Sequence, residues 1–168
     1  MRFLLLILIP YLSIFLETTL FSRFTLRGIV PDLVLIFVTF YSIWNGPKAG
    51  FAYGFLTGLL EDLYMGRLIG MNALAKGFTA YLVGFLGESV FKENILVGFG
   101  GTVAATVLNA IFMFFLALVS TPDIVINKSV MINMIGEIVY NGLLSIPFYV
   151  WYYKTANSGF LGNPEYRE

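Results

Sequence analysis

Six long apolar runs, separated by short polar breaks, order this chain. They cover residues 3–21, 30–44, 47–63, 71–91, 94–119 and 131–153. Each predicts a helix of the length, or nearly the length, that crosses a bilayer, which takes about 20 residues. The breaks have chemical reasons. Asn45-Gly46-Pro47 interrupts the second run, because proline has no N–H to donate and glycine resists helix. Pro47 is then a good first residue for the third. Thr121-Pro122-Asp123 closes the fifth. The pattern predicts an all-α membrane protein: a six-helix transmembrane bundle over 1–153 and a polar C-terminal tail over 154–168.

The second and third runs are short, reaching about 22–26 Å at 1.5 Å per residue. Two arrangements stay open for them: two crossings, or a helical hairpin that enters and leaves on one face. The stretch 124–133 alternates apolar and polar residues and reads equally as an interfacial segment or a surface loop. The first run follows Arg2 in the manner of a secretion signal. Its length, Pro10, Glu17 and the lack of a small-residue cleavage site predict a retained span instead.

Composition supports the membrane reading. Hydrophobic residues make up 58% of the chain, charged residues 12%, and the mean hydropathy is +0.84. A soluble core of 168 residues could not hide so much apolar surface. Cysteine and histidine are absent, which removes disulfides, thiol and imidazole chemistry and the metal sites built on them. Ten basic and ten acidic residues cancel, leaving no electrostatic footprint for nucleic acid. Arg2, Lys48, Lys92, Lys154 and Arg167 fall on the side of the termini, and Arg23, Arg27, Arg67 and Lys128 on the other. That slight excess predicts cytoplasmic termini.

The polar residues inside the runs are the candidate functional groups. Up-and-down alternation puts Glu17, Asp32, Glu61, Asp62, Asn72, Lys76, Glu137 and Asn141 in one half of the membrane, opposite the termini. Charges at such depth usually face a bundle interior, a cavity or a partner. Snorkelling to the headgroups is the bland alternative, and it suits Asp32 and Arg67 better than Lys76 or Glu137. Along the third run Gly50, Gly54, Gly58 and Asp62 recur every four residues, with Gly66 and Gly70 continuing the spacing. Such a stripe lets another helix backbone approach, either within the chain or from a partner. Asp62 ends the run, where the helix dipole disfavours a carboxylate, so it calls for a cation: Lys76 first by topology, Arg67 second, a partner's base third.

No catalytic arrangement accompanies these acids. No serine lies in a G-x-S-x-G turn and no phosphate-binding G-x-x-x-x-G-K-[ST] loop is present. An intramembrane aspartyl protease would need two aspartates on facing spans, and Asp62 has none at matching depth except Asp32, near the headgroups. The expectation is a non-enzyme without a cofactor.

The run Val30-Pro31-Asp32-Leu33-Val34-Leu35, then Gly54-x-x-x-Gly58-x-x-x-Asp62-Leu63-x-x-Gly66-x-x-x-Gly70 and Ala73-Leu74-Ala75, resembles the MreD family of bacterial rod-shape-determining membrane proteins. Asn141-Gly142 and Pro147 are similar to that family's last span. The resemblance implies an S-component-like six-span fold, cytoplasmic termini and the bacterial inner membrane. It also implies a part in cell elongation and peptidoglycan synthesis beside MreC, MreB, RodA and a class B penicillin-binding protein. It implies no role for Lys76 or Glu137.

Two classes of function compete: a scaffold that binds MreC, and a substrate-binding S component of an energy-coupling-factor-type transporter. Such carriers usually show A-x-x-x-A on span one. Here that span reads Leu4-Leu5-Leu6-Ile7-Leu8-Ile9, without alanine, which favours the scaffold.

Overall fold

A computed structural model describes residues 2–21, 23, 25, 28–66, 68–87, 89–90, 92–120 and 128–157. Five α-helices appear among them: α1 Arg2–Leu16, α2 Leu33–Met65, α3 Met71–Gly87, α4 Ile95–Ser120 and α5 Lys128–Asn157. A short π-helical turn, Glu17–Phe21, extends α1. Among the described residues, three segments are long and apolar enough to cross a membrane: Leu4–Phe21, Ile95–Ser120 and Val130–Ala156.

The second and third apolar runs are the two arms of α2, which bends sharply at Gly46. Gly46 has φ 82° and ψ 176°, a conformation that an L side chain rarely adopts. Pro47 then starts the second arm without needing an acceptor for an N–H. Near the break, Asn45 Nδ2 donates to Tyr41 O at 2.9 Å. The first arm, 33–45, is about 20 Å long and the second, 47–65, about 28 Å.

The first arm is the middle of the molecule. Every residue from Leu33 to Phe40 is buried, the mark of a helix surrounded on all sides. On one flank Leu33, Ile36, Phe37 and Phe40 pack with Ile9 of α1 and with Tyr149, Tyr152 and Ala156 of α5. On another, Leu35 and Ile43 meet Val83 of α3 and Ala105 of α4. Proline in α1 is tolerated by a specific repair. Pro10 has no N–H for the Leu6 carbonyl, and the Tyr53 hydroxyl of the second arm donates to that oxygen instead, at 3.1 Å.

α5 continues through Lys154 to Asn157, so the polar tail set at 154 starts inside a helix, and only 158–168 lie outside the described residues. Of the stretch 124–133, residues 128–133 belong to α5 and the rest lie outside the described residues.

Candidate functional site

Small residues let α3 settle against the second arm of α2. A Cβ on Gly54 would lie 2.7 Å from Lys76 O, and one on Gly58 would lie 2.5 Å from Asn72 O. A Cβ on Gly50 would collide with Ser42 of the first arm and sit 3.1 Å from Ala80 O. The surface these glycines approach is thus within the chain. Gly66 and Gly70 do not belong to it, which corrects the stripe read from their spacing. Both have positive φ, 62° and 103°, and a Cβ on either would meet nothing within 4 Å. Gly66 is the left-handed cap of α2, its N–H bonded to Asp62 O at 3.0 Å, and Gly70 forms the turn into α3.

This close approach brings Lys76 of α3 between the two ends of α2. Its ammonium lies 2.7 Å from Asp32 Oδ2 and 2.8 Å from Asp32 Oδ1, and it also pairs with Glu61 Oε2. Lys76 is wholly buried, and Glu61 is 5% exposed. One cation therefore joins the start of the first arm to the end of the second, which fixes both ends at one level.

The same carboxylates and amides close the N-terminus of α2, where backbone N–H groups have no partner within the helix. Asn141 Oδ1 of α5 accepts from Asp32 N at 2.9 Å, Glu17 accepts from Leu33 N and Val34 N, and Asp32 Oδ1 accepts from Leu35 N at 2.7 Å. Asn141 Nδ2 donates onward to Thr106 Oγ1 of α4 at 3.2 Å. Acids at this end complement the positive pole of the helix dipole.

Asp62 does not pair with Lys76, which corrects the pairing its position suggested. Its carboxylate accepts from Gly70 N at 2.8 Å, from Asn72 N and Ala73 N at 3.2 Å, and from Asn72 Nδ2 at 2.9 Å. The opening turn of α3 supplies the donors and the positive dipole end in place of a lysine. Arg67, the second candidate, lies outside the described residues.

Beside this network opens a cavity of about 760 Å³. Glu17, Asp32, Glu61, Asp62 and Glu137 line it, with Met65 and Met113 among the apolar walls. Glu137 faces it without capping any helix. Among the described residues, five carboxyl groups thus surround the cavity, and one ammonium, that of Lys76, stands behind it.

Asp32, whose nearness to the end of a run suits the headgroups, is instead central here. The usable signal is its place ahead of an apolar run, where aspartate caps helices. Thr106 gives no signal of its own beyond sharing a small-residue face with Thr102, Ala105 and Asn109. No group of three or more acids that could hold a metal occurs among the described residues.

Apolar helices of spanning length around a buried ion-pair network define an integral membrane protein. A family model described as rod shape-determining protein MreD matches residues 1–158. The chain belongs to the MreD family, the rod-shape-determining membrane proteins. Nothing matches among curated proteins or among solved structures.

Proposed function

We propose that this chain is a non-enzymatic inner-membrane component of the cell-elongation machinery that binds MreC and helps regulate lateral peptidoglycan synthesis. In this reading MreC is the direct partner, and MreB, RodA and a class B penicillin-binding protein complete the assembly. The chain crosses the bilayer six times in an S-component-like arrangement, with both termini in the cytoplasm. The arms of α2 form the second and third crossings.

The observation that supports a binding role is the carboxylate-lined cavity beside Lys76. Among the described residues its lining carries more acid than base, which is costly inside a membrane, and a partner's polar or basic group would relieve that excess. The test is co-expression with MreC and capture through a tag on either protein. Glu137→Gln should preserve membrane yield, because Glu137 caps no helix, and should weaken MreC capture. Unchanged capture by Glu137→Gln and by Glu17→Gln would remove the cavity from the interface. A small molecule that copurifies and competes with nothing from MreC would favour the S-component reading instead.

A further inference from the structure

Several hydroxyls inside these helices turn back on their own backbone. Ser13 donates to Ile9 O at 2.8 Å, Thr57 to Tyr53 O at 2.9 Å and Thr106 to Thr102 O at 2.9 Å, each one turn earlier. Such a bond satisfies a buried hydroxyl without help from another helix. Thr39, Thr79 and Thr102 do not make it. Their hydroxyl oxygens are sealed from the surface and have no hydrogen-bond partner among the described residues. The same holds for Asn109 Oδ1. Asn109 is 6% exposed, and the three threonines less.

All four belong to one seam, where the first arm of α2 meets α3 and α4. Leu35 and Ile43 of the first arm pack there with Val83 of α3 and Ala105 of α4. Thr39 lies one turn from both Leu35 and Ile43, Thr79 one turn before Val83, and Thr102 and Asn109 one turn to either side of Ala105. Thr39 faces α4 directly, since a Cβ on Gly101 would stand 3.7 Å from its methyl group. The seam starts at the ion-pair network. Thr79 follows Lys76 by one turn, and Asn109 follows Thr106, which receives the Asn141 amide, by one turn. At the other end Ile43 and Val83 also wall a crevice of about 320 Å³, which joins the seam to the outside.

We propose that this seam binds water, held by the hydroxyls of Thr39, Thr79 and Thr102 and by Asn109 Oδ1. A hydroxyl both donates and accepts, and an amide oxygen accepts, so the ligand must do both. Buried water does so, and it settles where several otherwise unsatisfied polar groups converge. Charge selects against the alternatives. The Lys76 ammonium, one turn from Thr79, opposes a second cation, and the Asp32 and Glu61 carboxylates beside it oppose an anion. Such water ties α4 to α3 and to the first arm through hydrogen bonds, beside the apolar contacts of Leu35, Ile43, Val83 and Ala105.

Radiolytic footprinting tests this on the full chain in lipid nanodiscs. X-rays turn bound water into hydroxyl radicals, which oxidise the side chains next to it, and mass spectrometry locates the oxidation. Leu35 and Val83 stand on the seam, whereas Ile36 and Val38 stand on other flanks of the first arm. All four are wholly buried. Leu35 and Val83 should be oxidised and Ile36 and Val38 spared. Thr39→Val/Thr102→Val keeps the shape but removes two hydroxyls, and it should lose the oxidation of Leu35 and Val83. Thr39→Ser/Thr102→Ser keeps the hydroxyls and should retain it. Seam residues oxidised no more than the flank residues in the unmodified chain overturn the proposal, as does seam oxidation that survives the valine pair. If the valine pair fails to fold, the comparison within the unmodified chain decides alone.

Discussion

Removing the Lys76 ammonium should damage this protein more than removing any one of its acids. Lys76→Met keeps the volume and apolar stem but leaves Asp32 and Glu61 facing each other without a counter-ion. At 2.8 Å, the longer of the two Asp32 contacts, and an effective dielectric of about 20, one such attraction is worth roughly 6 kcal/mol before desolvation. Desolvation of the charges opposes it, and breaking one member of a buried pair typically costs about 3–5 kcal/mol. The double variant Lys76→Met/Glu61→Gln should be milder than the sum of its singles, because the second change removes a stranded charge. Asp62→Asn should cost about 1–3 kcal/mol, since an amide cannot accept all four of the hydrogen bonds from the turn into α3. Its coupling to Lys76→Met should be smaller than that of Glu61→Gln by about 1 kcal/mol or more. Equilibrium unfolding of the purified chain in mixed detergent micelles, run as two double-mutant cycles, measures both couplings. A larger coupling of Lys76 with Asp62 than with Glu61 would refute the assignment of partners.

Other perturbations probe the scaffold around this cluster. Gly54→Leu and Gly58→Leu should each cost on the order of 1–3 kcal/mol and lower membrane yield, because the new side chains strike the backbone of α3, whereas Gly66→Asn should be nearly silent in the same expression assay. Tyr53→Phe should lose about 0.5–1.5 kcal/mol of unfolding free energy in the native chain and almost nothing in a Pro10→Ala background, where the substituted residue supplies the backbone N–H that the Leu6 carbonyl otherwise lacks. The chain contains no cysteine, so single cysteines report topology cleanly. In intact cells a membrane-impermeant thiol reagent should spare positions 48 and 92 and label position 68. Labelling at 48 together with 68 would make α2 a re-entrant hairpin.

The helical runs and their breaks were legible because they depend on local chemistry. Asn45-Gly46-Pro47 announced the bend in α2, although run lengths could not tell that the two arms would remain one continuous helix. Alternation grouped Glu17, Asp62, Lys76 and Asn141, and in the structure they lie around the two ends of α2. Pairing was not legible. Spacing along α2 cannot reveal that the free N–H groups of α3 would turn back onto Asp62, so the nearest cation looked necessary. Gly66 and Gly70 kept the four-residue rhythm past the end of the helix, where rhythm no longer means a shared face. Asp32 was misjudged because distance from the end of a run is a poor guide to burial when another helix closes over that end.

The Lys76 contacts also constrain the order in which the protein can be completed during synthesis. Asp32 leaves the ribosome 44 residues before Lys76, and the Asn141 that receives the Asp32 N–H follows 109 residues after it. Until α3 has entered the membrane, the first arm of α2 carries an acid with no cation, flanked by Glu17 and soon joined by Glu61. That arm is also too short and too thoroughly buried to rest alone in lipid. Nascent α1 and α2 must therefore stay beside the insertion machinery, or in its hydrated interior, while α3 is made. Release into the bilayer becomes favourable only when the lysine arrives, so a mutation at Lys76 should lengthen the dwell of nascent chains at the translocon as well as weaken the finished fold.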